Sequence, residues 1–299
     1  MFFEAVIPEA VFRGRLPRAC VLWLLGAGFL PACWGALSVD RMALHQFEDG
    51  PMLGSNYEFL PGETAYFSCR LAGYQTFVKD KDKEDNRTAK LAWDLRVTDP
   101  AGTLIDKPSQ GRIDADLVRE DKNWIPKFLV SFVIPPFAPG GSYRITAHVR
   151  DEVASKEITG TLEFKVRGHS AEPSDTLLGR NFRFLRAEDD SGGLTSPIYR
   201  QGDTLWARFD IVGFKLGDGN KYTVDYGLAI ENPAGKQLFS QPEAAEDNGE
   251  SFYPKRYIPG VLSLHLDNTV AKGAYVLVVI LRDQIGQQLK EERQPFEIE

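Results

Sequence analysis

Cysteine and histidine are scarce in this sequence, and their scarcity limits the chemistry that it can carry. The chain of 299 residues holds three cysteines and four histidines. Two cysteines lie near the N-terminus, which leaves Cys69 alone in the rest of the chain, so no disulfide can form within that part. The histidines share no metal-ligand spacing, and no serine has the sequence context of a nucleophile elbow. The sequence therefore predicts no catalytic residues, no metal site and no cofactor.

Basic clusters and helical periodicity are also missing beyond the N-terminal region. The formal net charge is -7, from 35 Lys and Arg against 42 Asp and Glu, and the two signs are interspersed. A nucleic-acid-binding face would need a concentration of basic residues, so we expect no nucleic-acid partner. The best helical candidate is Asp114–Glu120, a stretch of about two turns. The composition instead favours strands and turns, with 27 Gly, 18 Pro and 19 Phe.

The first 40 residues have the pattern of an export signal. Three arginines precede the uncharged run Ala19–Val39. Three interpretations stay open: a cleaved signal peptide, a lipoprotein signal in which Leu30-Pro-Ala-Cys33 resembles a lipobox with Cys33 as the lipidated residue, and an uncleaved anchor. All three predict an exported protein, periplasmic or otherwise associated with the cell envelope, that touches a membrane only through this segment.

A repeat divides the remaining chain into two copies of one unit. Gly141–Asp151 returns as Gly273–Asp283, with a glycine-small-Tyr start and an Arg-Asp end in both. Two more pairs of segments match, Gly62–Gly73 with Gly202–Gly213 and Leu91–Gly102 with Val224–Gly235. The repeat predicts a first domain at 41–167, a linker at 168–180 and a second domain at 181–299, after the N-terminal segment 1–40.

Alternation of apolar residues predicts strands with one buried face in each copy. The predicted core positions are Ala65, Phe67, Cys69 and Leu71 in the first copy, and Leu205, Ala207, Phe209 and Ile211 in the second. The Pro-Ala-Gly sequences that follow Asp99 and Asn232 have turn chemistry. About seven strands in about 120 residues indicate an antiparallel two-sheet sandwich.

These features resemble two groups of all-β domains. An aromatic residue in the third strand, Trp93 or Tyr226, and the glycine-small-Tyr entry to the penultimate strand are similar to immunoglobulin-like domains. The Asp-Pro-x-Gly turn resembles the macroglobulin-type sandwiches of bacterial envelope proteins. The thioester motif of full macroglobulins is missing, so the resemblance does not imply covalent trapping. It implies an all-β fold of two tandem immunoglobulin-like antiparallel β-sandwiches in an exported protein.

Several loops carry residues that could bind calcium or sugars. Carboxylates alternate with lysines in Lys79–Asn86, and Asp189–Gly193 and Gly217–Asn220 combine acids with glycine. Local charge balance and turn chemistry favour ordinary solvated loops at all three. Four aromatic residues at loop-like places could stack on sugars: Tyr57, Tyr74, Phe214 and Tyr253. These features support an alternative function as a carbohydrate- or calcium-dependent adhesive module.

One strand of the second copy is apolar on both faces. Val276, Val278 and Ile280 replace polar residues of the first copy on the face that points away from the core. A protein partner, a second copy of the chain or the first domain could cover them, and so could the chain's own loop, for example Phe239–Tyr257. The sequence thus predicts a non-enzymatic, exported, two-domain binding or scaffold module that acts through protein–protein contacts, with these three residues as candidate interface.

Overall fold

The computed structural model describes residues 35–78 and 86–299, and these residues form two β-sandwiches in succession. The first sandwich has nine strands: β1 (Ser38–His45), β2 (Glu58–Phe59), β3 (Thr64–Ala72), β4 (Thr76–Val78), β5 (Arg87–Thr98), β6 (Ser109–Leu117), β7 (Lys127–Val133), β8 (Gly141–Asp151) and β9 (Lys156–Val166). The second has eight: β10 (Leu178–Leu185), β11 (Ile198–Tyr199), β12 (Thr204–Val212), β13 (Tyr222–Glu231), β14 (Gln237–Gly249), β15 (Ile258–His265), β16 (Gly273–Asp283) and β17 (Gln288–Ile298).

The two sandwiches share one topology apart from β4, which has no counterpart in the second. In the first, a three-stranded sheet β1-β3-β7 faces a six-stranded sheet β2-β9-β8-β5-β4, in which β6 also pairs with β5. In the second, β10-β12-β15 faces β11-β17-β16-β13-β14. All pairings are antiparallel except β2 with β9 and β11 with β17, which are parallel in both copies. The predicted all-β sandwich fold is therefore confirmed, and the internal repeat extends to the order of the strands.

Two stretches differ from the sequence-based expectation. Asp114–Glu120 is not helical, because β6 pairs with β5 along Arg87–Leu95 and ends at Leu117. Segment 239–257, expected as a loop, contains most of strand β14. The one helical element among the described residues is a short 3-10 turn at Asp218–Asn220. Pairing with a neighbouring strand decides the conformation of both polar stretches, since neither carries a strong pattern of its own.

Each sandwich has its own apolar core, built from the alternating positions. The eight predicted core residues of β3 and β12 are all buried. Cys69 is completely buried, and its burial raises the pKa of the thiol to about 12. Trp93 lies stacked on Phe128 across the first core, with ring centroids 4.4 Å apart. The alternation in the sequence thus identifies which face of each strand points inward, as expected for strands buried on one side.

The repeated sequence motifs make the same hydrogen bonds in both copies. The hydroxyls of Tyr143 and Tyr275 donate to backbone carbonyls four residues upstream, at 2.8 and 2.6 Å. This is the tyrosine corner of immunoglobulin-like sandwiches. The buried carboxylates of Asp151 and Asp283 accept backbone N–H groups of the turns that they begin. The repeated aspartate is therefore explained by the turn that follows it.

Gly73 and Gly213 show why glycine recurs at the end of β3 and β12. Both have a positive φ, 67° and 75°, which favours glycine. A Cβ atom would lie 2.1 Å from the carbonyl oxygen of Ala36 at Gly73, and 1.9 Å from that of Thr176 at Gly213. The chain that leads into the first strand of each sandwich passes directly over this position. The two glycines therefore fix how each sandwich begins.

Candidate functional site

The predicted interface residues on β16 are largely buried. Val278 is 2% exposed, Ile280 is 8% exposed and Val276 is partly buried. With Ala229 of β13 they form a small apolar cluster that is separate from the core of the second sandwich. The structure therefore shows that this face is shielded within the chain. A contact with a partner at this face stays a prediction.

Polar side chains and a bulge of β14 shield this cluster. Val276 lies beside Glu231, and Val278 lies beside Arg293, on opposite neighbouring strands. Arg293 and Glu231 form a forked ion pair with N–O distances of 2.7–2.8 Å, so this pair crosses β16 between the two valines. Beside Ile280, a Cβ at Gly227 would lie 2.2 Å from the carbonyl oxygen of Gln241. Part of the cover therefore comes from segment 239–257 of the same chain.

The segment between β14 and β15 joins the two sandwiches. Tyr253, which belongs to the second sandwich by sequence, packs into the core of the first and is 6% exposed. Its hydroxyl donates to Asp99 Oδ2 at 2.8 Å, and burial raises the pKa of this tyrosine to about 12. Arg256 donates to the same Asp99 oxygen at 3.0 Å and to Thr103 Oγ1 at 2.7 Å. We refer to Asp99, Tyr253 and Arg256 as the clamp.

Aromatic contacts continue the junction beside the clamp. Tyr257 meets Phe137 edge to face, with ring centroids 5.8 Å apart. Lys255 lies over the ring of Phe137 at 5.0 Å and forms an ion pair with Asp247 at 2.6 Å. Gly35–Glu299 form one compact unit. Buried polar bonds and apolar packing therefore hold the two sandwiches against each other. Domains joined only by a linker commonly move relative to each other.

A cleft of about 600 Å³ lies on the outer face of the sheet β1-β3-β7. Arg41, Arg70 and Lys127 occupy laterally paired positions on the three strands, so three cations stand side by side. Trp124 forms part of the wall, and Tyr74 holds it through an edge contact and a hydrogen bond to its carbonyl. Like charges at directly opposite positions repel each other, so this row is not explained by fold stability.

The charges of this row are only partly balanced by the chain. Lys127 contacts Asp49 at 2.5 Å and lowers the pKa of that carboxyl group through this hydrogen bond. Arg70 lies 4.0 Å from the exposed Asp40. Arg41 is exposed and makes no ion pair with another described residue. Among the described residues that line the cleft, Asp49 is the one carboxylate. The cleft is therefore cationic on a protein whose net charge is negative.

The candidate calcium- and sugar-binding residues of the sequence do not come together into a site in the part of the chain that the structure describes. Tyr253 and Phe214 are buried in the cores, and Tyr74 supports Trp124. Asp190 accepts the N–H of Gly192 at 2.9 Å, as in an ordinary turn. No group of three or more His, Cys, Asp or Glu side chains in the described chain has the arrangement of a metal site. The acidic residues 80–85 and Cys33 lie outside the described residues.

Sequence reasoning missed the clamp and the cationic row. The clamp joins residues more than 150 positions apart, and no periodic pattern marks such a contact. A signal for the row was present, because the aligned repeats place Arg70 opposite Asp210. This difference in charge between two otherwise similar strands marks the position of the row.

Comparison with known proteins shows no family for this chain. No protein-family model matches it. No curated protein matches it either. Among solved structures, the C-terminal domain of the Streptococcus pyogenes antigen I/II-family protein AspA matches with 9% sequence identity and a TM-score of 0.29, over 88% of this chain and 98% of that one. A similarity this weak supports no inference about what the chain binds. In the described residues no helix is long and apolar enough to span a membrane.

Proposed function

We propose that this protein is an exported, non-enzymatic binding module in which two immunoglobulin-like sandwiches form one rigid scaffold. The clamp is the observation that carries the proposal. Asp99, 4% exposed, binds Tyr253 and Arg256 of the other sandwich, and Tyr253 fills a place in the first core. An enzyme that closes two domains around a substrate needs a hinge, whereas a scaffold gains from a fixed geometry. Export is supported by the arginines and apolar run at the N-terminus.

The test follows the full-length chain in intact cells of its source. A photo-activated cross-linker is placed at one of three exposed apolar positions, Ile125 on the first sandwich or Leu238 and Phe252 on the second. We expect a defined adduct from at least one position, and we expect protease added outside the cytoplasmic membrane to degrade the chain. Protection from protease until the cytoplasm is opened would overturn export. Absence of adducts from all three positions would overturn the binding module.

A further inference from the structure

The cationic row is specific to the first sandwich. By the repeat and by strand pairing, Arg41, Arg70 and Lys127 correspond to Arg180, Asp210 and Pro259 in the second sandwich. The same three positions thus carry three positive charges in one copy and no net charge in the other. The fold itself therefore does not require the row.

In the second sandwich, Asp210 at the central position of the row has its hydrogen-bond partners within the chain. It is buried, and its Oδ2 atom lies 2.7 Å from His169 Nε2 and accepts the side-chain N–H of Asn181 at 2.6 Å. In the first sandwich the corresponding Arg70 is half-exposed and points into the cleft, next to an Arg41 without an ion pair among the described residues. Anionic groups from outside the chain would balance the positive charge that Asp40 and Asp49 leave on the row of the first sandwich.

We propose that the cleft on β1-β3-β7 binds an acidic oligosaccharide, with carboxylate or sulfate groups on the row of Arg41, Arg70 and Lys127. The proposal rests on the proposed function, since it gives the binding module a ligand. Planar guanidinium groups pair with such anions through two parallel hydrogen bonds. Neighbouring strands are about 4.8 Å apart, so the row offers three cationic positions over about 10 Å. The cleft volume of about 600 Å³ lies within the usual range for small-ligand sites.

The wall of the cleft favours a saccharide over an acidic peptide. The exposed Asn123 supplies a neutral hydrogen-bonding side chain for hydroxyls, and Trp124 supplies an apolar surface for a sugar ring. A peptide that binds an immunoglobulin-like sheet by strand addition uses the free edge of a strand. The row instead lies on the face of the sheet, where only side chains are offered.

The experiment titrates the full-length chain with four probes by calorimetry at low salt. These are polygalacturonate oligomers, dextran sulfate, neutral dextran and poly-L-glutamate. We expect binding of at least one anionic saccharide and none of neutral dextran. The first two probes distinguish a carboxylate ligand from a sulfated one. Equal or tighter binding of poly-L-glutamate would overturn the proposal in favour of an acidic protein segment, and failure of both anionic saccharides to bind would overturn it outright.

Two variants localise the binding to the row. Arg70→Asp introduces the aspartate that the second sandwich has at this position. We expect it to weaken binding at least about a hundredfold, because it removes one contact and repels the ligand. Arg200→Asp makes the same charge change at an exposed position of the second sandwich and serves as the matched control, with unchanged affinity expected. Arg41→Ser should weaken binding about tenfold without lowering thermal stability. Equal losses for Arg70→Asp and Arg200→Asp would show nonspecific attraction and overturn the site.

The outcomes separate this proposal from the proposed function. Cross-linked adducts in cells together with failed titrations would remove the saccharide ligand and leave the binding module. Failure of both would remove both.

Discussion

Asp99 and Asn232 occupy the same position in the two copies and stabilise the same turn. Oδ1 of each accepts two backbone N–H groups, from Ala101 and Thr103 in the first copy and from Ala234 and Lys236 in the second. Asp99 uses its second oxygen for Tyr253 and Arg256. The repeated oxygen therefore serves the local turn, and the additional charge serves the junction.

Replacement of Asp99 by asparagine separates these two roles. Asp99→Asn retains an oxygen for the turn and loses the charge that pairs with Arg256, so we expect the free energy of unfolding to fall by about 1–3 kcal/mol. Urea denaturation followed by fluorescence measures this change. Asn232→Asp is the matched control at the exposed turn, with an expected change within about 0.5 kcal/mol. Similar losses in both variants would mean that the turn, rather than the clamp, carries the effect.

Cys69 allows a second prediction at the scale of one residue. Its thiol is completely buried, and burial raises the pKa to about 12, so almost no thiolate exists at pH 8. In a Cys20→Ser/Cys33→Ser variant we expect a thiol reagent to label native protein at least about a hundredfold more slowly than protein in denaturant. Mass spectrometry over time measures both rates. Equal rates would show that Cys69 is accessible in the folded chain.

At the scale of strands, the sequence predicted the elements whose alternation is strong. Strands β3, β12, β8 and β16 follow from their apolar residues and from the repeat. Strand β14 could not be recognised, because Gln237–Gly249 contains Pro242 and several acids and makes most of its contacts through backbone pairing with β13. The apolar outer face of β16 was recognised, but its cover depends on this strand and on an ion pair between β13 and β17.

Because the outer face of β16 is covered, a charge placed at its centre should destabilise the fold. Val278→Lys places an ammonium group at a buried position, so we expect the free energy of unfolding to fall by about 2–4 kcal/mol. His148→Lys is the control on the corresponding face of β8, where Asp94 and Glu157 can still pair with the new charge. We expect a change within about 0.5 kcal/mol there.

Solution mass by light scattering decides between cover within the chain and cover by a partner. A destabilised Val278→Lys variant with the wild-type mass would agree with shielding by the chain itself. An oligomeric wild type that the substitution converts into a folded, stable monomer would contradict it and would make the β16 face an interface between copies.

At the scale of the whole molecule, the repeat predicts two equivalent sandwiches but does not predict their relation. Each copy has its own core, tyrosine corner and buried aspartate turn, so each is built as a complete β-sandwich. The junction breaks this equivalence, because Tyr253 of the second copy packs into the core of the first. Periodicity reports which residues face their own core, and it contains no information about a side chain borrowed from another domain.

This sharing predicts one cooperative unfolding transition for the two sandwiches. Tyr253→Ala removes an aromatic side chain from the first core together with its bond to Asp99, at a cost of about 3–5 kcal/mol, and we expect the single calorimetric transition to split into two. Phe252→Ala truncates the exposed neighbour in the same segment and should leave one transition near the wild-type temperature. A Tyr253→Ala protein that still unfolds in one transition would mean that other contacts couple the sandwiches. In that case the pair of Phe137 and Tyr257, rather than the clamp, would be the first contact to remove.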